Sequence, residues 1–164
     1  MTDIDRHGDA PTPDAALAAT DITHKTAWIL GLAGLIPFVA MTAALAYAGR
    51  AFIAYPQLVL ALSGYSATIL AFLGGIRWGA ALWRDEGQRY ILVLSVLASL
   101  IGWALLFVPT PWMFAGFAIA FALVGVWDVL AARHRVLPDW FGRLRLVLTI
   151  VVVLCQLVAF ASTF

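Results

Sequence analysis

The chain has 164 residues, 63% of them hydrophobic and 12% charged, with a formal net charge of +1 and a mean hydropathy of +0.96. Water-soluble domains carry about 25% charged and about 45–50% apolar residues, and a domain of this size has too little interior to hide the excess. A water-soluble fold is therefore excluded. No nucleic-acid partner is expected either, because the basic residues are distributed among loops and not gathered into a patch.

In chain order, residues 1–26 form a polar tail in which Asp3, Asp5, Asp9, Asp14 and Asp21 outnumber Arg6 and Lys25. With Pro11 and Pro13 and no apolar period, it is expected to be flexible and cytoplasmic, with residues 27–164 forming the folded unit. The first apolar span runs from about Trp28 to Tyr47, long enough to cross the ~30 Å hydrocarbon core, and Pro37 predicts a kink within it. Ala46-Tyr47-Ala48 resembles a leader-cleavage site, but the apolar run exceeds the usual about 7–15 residues, so the span is expected to be retained. The second span covers Leu58–Trp83, the third Tyr90–Phe107 and the fourth Trp112–Leu130. The last covers Leu144–Phe160. The fold class is thus all-α, a five-helix transmembrane bundle with the second span at its centre.

Five spans place alternate loops on opposite sides. One side collects Arg6, Lys25, Arg84, Arg89, Arg133, Arg135, Arg143 and Arg145, and the other has only Arg50. The positive-inside rule then predicts a cytoplasmic N-terminus and an external C-terminus. Trp28, Trp83, Trp112 and Trp140 fall at span ends, where interfacial anchors belong.

The second span carries two signals. Ser63, Ala67, Ala71, Gly75 and Gly79 recur every four residues, with Gly74 adjoining, and predict a face that a neighbouring helix can approach closely. Arg77 is a permanent cation inside an apolar run, and such residues have partners. Asp128 in the fourth span is its natural one. Each lies about 7–9 Å from the same end of its helix, and both helices run in the same direction. Gly125, one turn before Asp128, leaves room for a long side chain. The simpler alternative is that Arg77 snorkels to lipid phosphates while Asp128 pairs with loop arginines. Arg133, Arg135, Arg143 and Arg145 are candidate contacts for anionic lipid head groups, or serve only to set topology.

No catalytic residue is assigned. His7, His24 and His134 lie outside the spans, away in depth from Ser63, Ser66 and Cys155, and Cys155 is the sole cysteine. Neither a histidine-activated nucleophile nor a metal or haem site is expected, and no cofactor.

Three stretches together resemble one family. They are Leu30–Phe38, Tyr65 with Ile69–Gly79, and Leu137-Pro138-Asp139-Trp140-Phe141 with Leu144-Arg145 and Leu148-Thr149. The family is that of the uncharacterised bacterial membrane proteins related to mitochondrial transmembrane protein sixty-nine. The resemblance implies a five-span inner-membrane protein and no particular activity. The leading expectation is a non-enzymatic scaffold or accessory subunit, packing against lipids, other membrane subunits or itself. A small transporter or channel subunit using Arg77 and Asp128, or an enzyme acting on a lipid-soluble substrate, are the alternatives.

Overall fold

The computed structural model describes residues 13–50, 52–82, 89–133 and 139–164. Among them the regular structure is entirely helical: α1 (Pro13–Ala33), α2 (Leu35–Ala48), α3 (Tyr55–Leu82), α4 (Arg89–Leu105), α5 (Trp112–Arg133) and α6 (Asp139–Thr163). Each helix from α2 to α6 packs on the next in sequence, and α6 closes the ring against α2, with α3 and α5 also in contact across it.

Helix α1 begins within the segment expected as a tail, at Pro13. Residues 13–26 are helical, while residues 1–12 lie outside the described residues. The physical reason is in the sequence: proline suits the first helical position, and the alanine-rich run after Pro13 has the highest helix propensity available. The helix of the first span is interrupted at Gly34, between α1 and α2, one turn before Pro37. Pro37 has no N–H for the Ala33 carbonyl, and its ring crowds that carbonyl, so the strain appears four residues upstream. The Tyr65 hydroxyl donates to the Gly34 carbonyl at 2.9 Å, fixing α3 against the bend.

Four segments have the length and hydropathy of membrane spans: His24–Ala48, Tyr55–Leu82, Trp112–Ala131 and Trp140–Thr163. Helix α4 has 17 residues and reaches only about 26 Å. Leu106, Phe107 and Val108 extend it as tight turns, donating to the carbonyls three residues back at 3.1–3.2 Å. At about 2 Å per residue these turns supply the remainder of a crossing.

The most enclosed helix is α5 and not the second span. Its buried face runs Phe114, Phe117, Phe121, Gly125 and Asp128, the spacing of a single helical stripe. Phe38 of α2 meets Phe121 edge-on, with ring centroids 5.8 Å apart, and meets Tyr65 at 4.9 Å. By contrast α3 leaves Phe72, Ile76, Trp78 and Leu82 exposed on its outer side.

The small-residue ladder of α3 is used at its start and not at its end. Gly74 is buried, and a Cβ there would meet the backbone carbonyl of Ser95 on α4. Farther along, Gly102 of α4 lies against the backbone of Ala67, within 3.3 Å of where its own Cβ would stand. Gly75 and Gly79 have nothing within 4 Å. Four residues turn a helix through about 400°, so an every-fourth pattern drifts by about 40° per step. Over the sixteen residues from Ser63 to Gly79 it swings about 160° off the contact, whereas Gly74 returns to within about 20° of Ser63.

Replacing Gly74 by Leu should therefore push α4 away. Overpacking of this kind costs about 1–3 kcal/mol, and thermal unfolding in mild detergent should fall by several degrees. Gly75→Leu and Gly79→Leu should leave the midpoint within about a degree of the parent.

Candidate functional site

The charged residues of α3, α5 and α6 converge on one carboxylate. Arg77 of α3 donates to Asp128 Oδ1 through Nε at 2.8 Å and through Nη2 as well. Arg145 of α6 donates through Nε to Oδ2 at 2.5 Å. All three side chains are 87% or more buried. The Arg77 guanidinium also lies 4.3 Å over the Trp127 ring, which attracts it by its π face.

Asp128 and Arg145 meet because α5 and α6 approach closely one turn away. A Cβ on Gly125 would collide with the Thr149 side chain. The two helices run antiparallel, so a contact between Gly125 and Thr149 brings residue 128 opposite residue 145. The room that Gly125 leaves is thus taken by Thr149 and not by the Arg77 side chain.

The sequence places Arg145 in the loop before the last span. In the structure it is buried and paired. The last span was taken to start at Leu144, where the apolar run begins, but the helix starts at Asp139, directly after Pro138, and lifts Arg145 almost two turns into the bundle. A signal was present: Asp128 and Arg145 lie at equal distances from the middle of the connecting loop, as partners in an antiparallel hairpin do. Of the other candidates, Arg143 is exposed, Arg133 ends α5, and Arg135 lies outside the described residues.

One carboxylate between two guanidinium groups leaves a net charge of +1 at this level. Arg145 uses only Nε among the described residues, so its terminal nitrogens have no described partner. Beside it is a cavity of about 350 Å³ between α1–α2, α3 and α6, lined by Phe38, Phe72, Leu73, Leu148 and Val152, with Arg145 and Thr149 among its few polar neighbours.

A second polar bridge lies deeper. Gln156 of α6 donates to Ser66 Oγ of α3 at 2.7 Å, and both residues are fully buried. Ser66 to Arg77 and Gln156 back to Arg145 are each eleven residues, three helical turns or about 16 Å. No described α-carbon of α3 comes within 8 Å of one of α6, so side chains alone connect these two helices. The cavity occupies the interval between the two bridges.

Several hydroxyls serve their own helices, whereas Thr42 Oγ1 is buried without a partner among the described residues. Ser63, Ser66 and Ser95 donate to Leu60, Leu62 and Ile91 carbonyls at 2.6–3.1 Å. Among the described residues no three His, Cys, Asp or Glu side chains gather as metal ligands would. His24 lies against the Trp140 ring, with centroids 4.3 Å apart. At the opposite end of the bundle Arg50 donates to the Thr163 carbonyl at 2.8 Å, capping α6.

Fold and site together define an all-α polytopic membrane protein, bound internally by a buried carboxylate shared between two arginines. Within that class the chain belongs to the family described as protein of unknown function (DUF3429), which residues 23–161 match. It is 34% identical over 132 residues to transmembrane protein 69 of Xenopus tropicalis, covering 79% of this chain and 51% of that protein. With transmembrane protein 69 of Mus musculus it shares 35% over 133 residues, 77% of this chain and 52% of that one. The chain spans about half the length of these curated relatives. No solved structure matches.

The shared carboxylate predicts an unequal response to mutation. Asp128→Leu strands two like charges, and breaking a buried pair from one side costs about 3–5 kcal/mol. Arg77→Leu or Arg145→Leu leaves a neutral pair, so each should be clearly milder. The triple Leu variant should recover most of the loss, while Arg77→Leu with Asp128→Leu should not, because Arg145 stays unpaired. Folded yield and unfolding in detergent for the five variants would test this order.

Proposed function

We propose that the protein is a non-enzymatic membrane scaffold or accessory subunit of the bacterial inner membrane, acting by helix packing against lipids or partner subunits. The observation carrying this reading is that most buried polar side chains engage one another or their own helices, with Thr42 Oγ1 and Gln156 Oε1 the buried atoms left unpaired among the described residues. Arg77 and Arg145 engage Asp128, Gln156 engages Ser66, and the serine hydroxyls engage carbonyls. Such an interior fixes geometry, whereas a conduction path needs polar groups aligned through its depth. An enzyme needs an acid, base or nucleophile facing an open site.

Reconstitution separates the readings. Proteoliposomes containing the protein should show proton and anion fluxes equal to those of empty vesicles. A flux that Asp128→Asn abolishes would overturn the scaffold reading in favour of transport. Extraction in mild detergent followed by native mass spectrometry should retain a partner chain or second copy in fixed stoichiometry. A bare monomer in every detergent would count against the subunit reading.

We infer a cytoplasmic N-terminus from the distribution of basic residues, seven to one once buried Arg145 is set aside. Capping of α6 by Arg50 supports this assignment, since the one basic residue of the opposite side has a structural task. Alkaline phosphatase fused after Phe164 should be active and fused after Gly87 inactive. The reverse pattern would refute the orientation.

A further inference from the structure

We propose that the cavity beside Arg145 is a binding site for one anionic lipid, whose charged head is held by the terminal guanidinium nitrogens of Arg145 and whose chain lies between α1–α2, α3 and α6. Three observations converge on this occupant. The first is charge. Two guanidinium groups share one carboxylate, and Arg145, with 7% of its surface exposed, makes its described hydrogen bond through Nε alone. A guanidinium presents five N–H donors, so most of its capacity remains for an anion. In a medium without water such donors need a partner, and a negative one also neutralises the surplus charge.

The second is shape. The volume of about 350 Å³ lies within the range of sites for small organic molecules. Its α6 wall extends from Phe141 to Val152, about 16 Å along the axis, and is apolar except for Arg145 and Thr149. An anionic group carried on an apolar chain matches a single cation set in such a lining. A neutral ring compound would leave the terminal nitrogens of Arg145 without a partner.

The third is depth. Arg145 is six residues into α6 and Arg77 five residues from the end of α3, about 7–9 Å in each case. A lipid head at the interface reaches that level, and its chain then runs inward along the cavity wall. Thr149, one turn farther in, also lines the cavity, with its side chain packed against Gly125 of α5. The proposal stands apart from the scaffold reading, since a lipid-binding bundle can serve any of the functions weighed above.

The test is a competition between phosphatidylglycerol and phosphatidylcholine with identical chains, added in equal amounts to the full chain in mild detergent and read by native mass spectrometry. One phosphatidylglycerol per chain should be retained, about ten-fold in preference, a factor that a charge-assisted hydrogen bond supplies. Arg145→Gln should remove the preference. Ala27→Trp fills the cavity away from the charges and should block retention of both lipids, so the proposal remains testable if Arg145→Gln fails to fold. Equal retention of the two lipids by the parent would overturn it in favour of a neutral-chain groove. Undiminished phosphatidylglycerol on Ala27→Trp would assign binding to surface arginines such as Arg143. Displacement by glycerol phosphate at the concentration effective for the lipid would make the site one for free phosphate, and would equally overturn it.

Discussion

The carboxylate of Asp128 is the point on which the bundle turns. It accepts from two arginines on two different helices, and each of its oxygens has its own partner. In hydrocarbon an unpaired charge has no solvent to fall back on, so the relative positions of α3, α5 and α6 follow from satisfying this one group. Packing of small residues sets the distances that make it feasible. Gly125 lets α6 approach α5, and Gly74, one turn before Arg77, lets α4 approach α3.

Between α3 and α6 the protein uses a different device. Their backbones stay apart, and two polar bridges three turns distant hold them in register. Two attachment points on each helix fix rotation as well as separation, which a single contact would leave free. The apolar space enclosed between the bridges is then a property of the bracing and needs no further support.

Hydropathy made the number and approximate limits of the spans legible, and counting residues from the helix ends placed Arg77 and Asp128 at one depth. The limits that failed did so for local reasons. Apolar content marks where a helix enters lipid and not where it begins, so the apolar run starts at Leu144 while Pro138-Asp139 encodes the helix start that carries Arg145 into the bundle. The ladder from Ser63 to Gly79 was read as one straight stripe, although a helix has 3.6 residues per turn and carries such a stripe round to the lipid side. The bridge from Ser66 to Gln156 had no sequence signal beyond one amide in an apolar span, because matching it to a serine requires knowing which helices face each other.

The order of the charges along the chain has a consequence for biosynthesis. Helices of the ring neighbour one another in sequence, so each can dock on its predecessor as it enters the membrane. Arg77 arrives first, and its long side chain can reach the interface while it waits for a partner. Asp128 follows with a side chain too short to do the same, and meets an arginine already at its own depth. Arg145 comes last, a further cation delivered to a carboxylate that is already in place, and the ring closes as it docks. Read from N- to C-terminus, the sequence presents its buried ions in the order in which the bilayer can tolerate them.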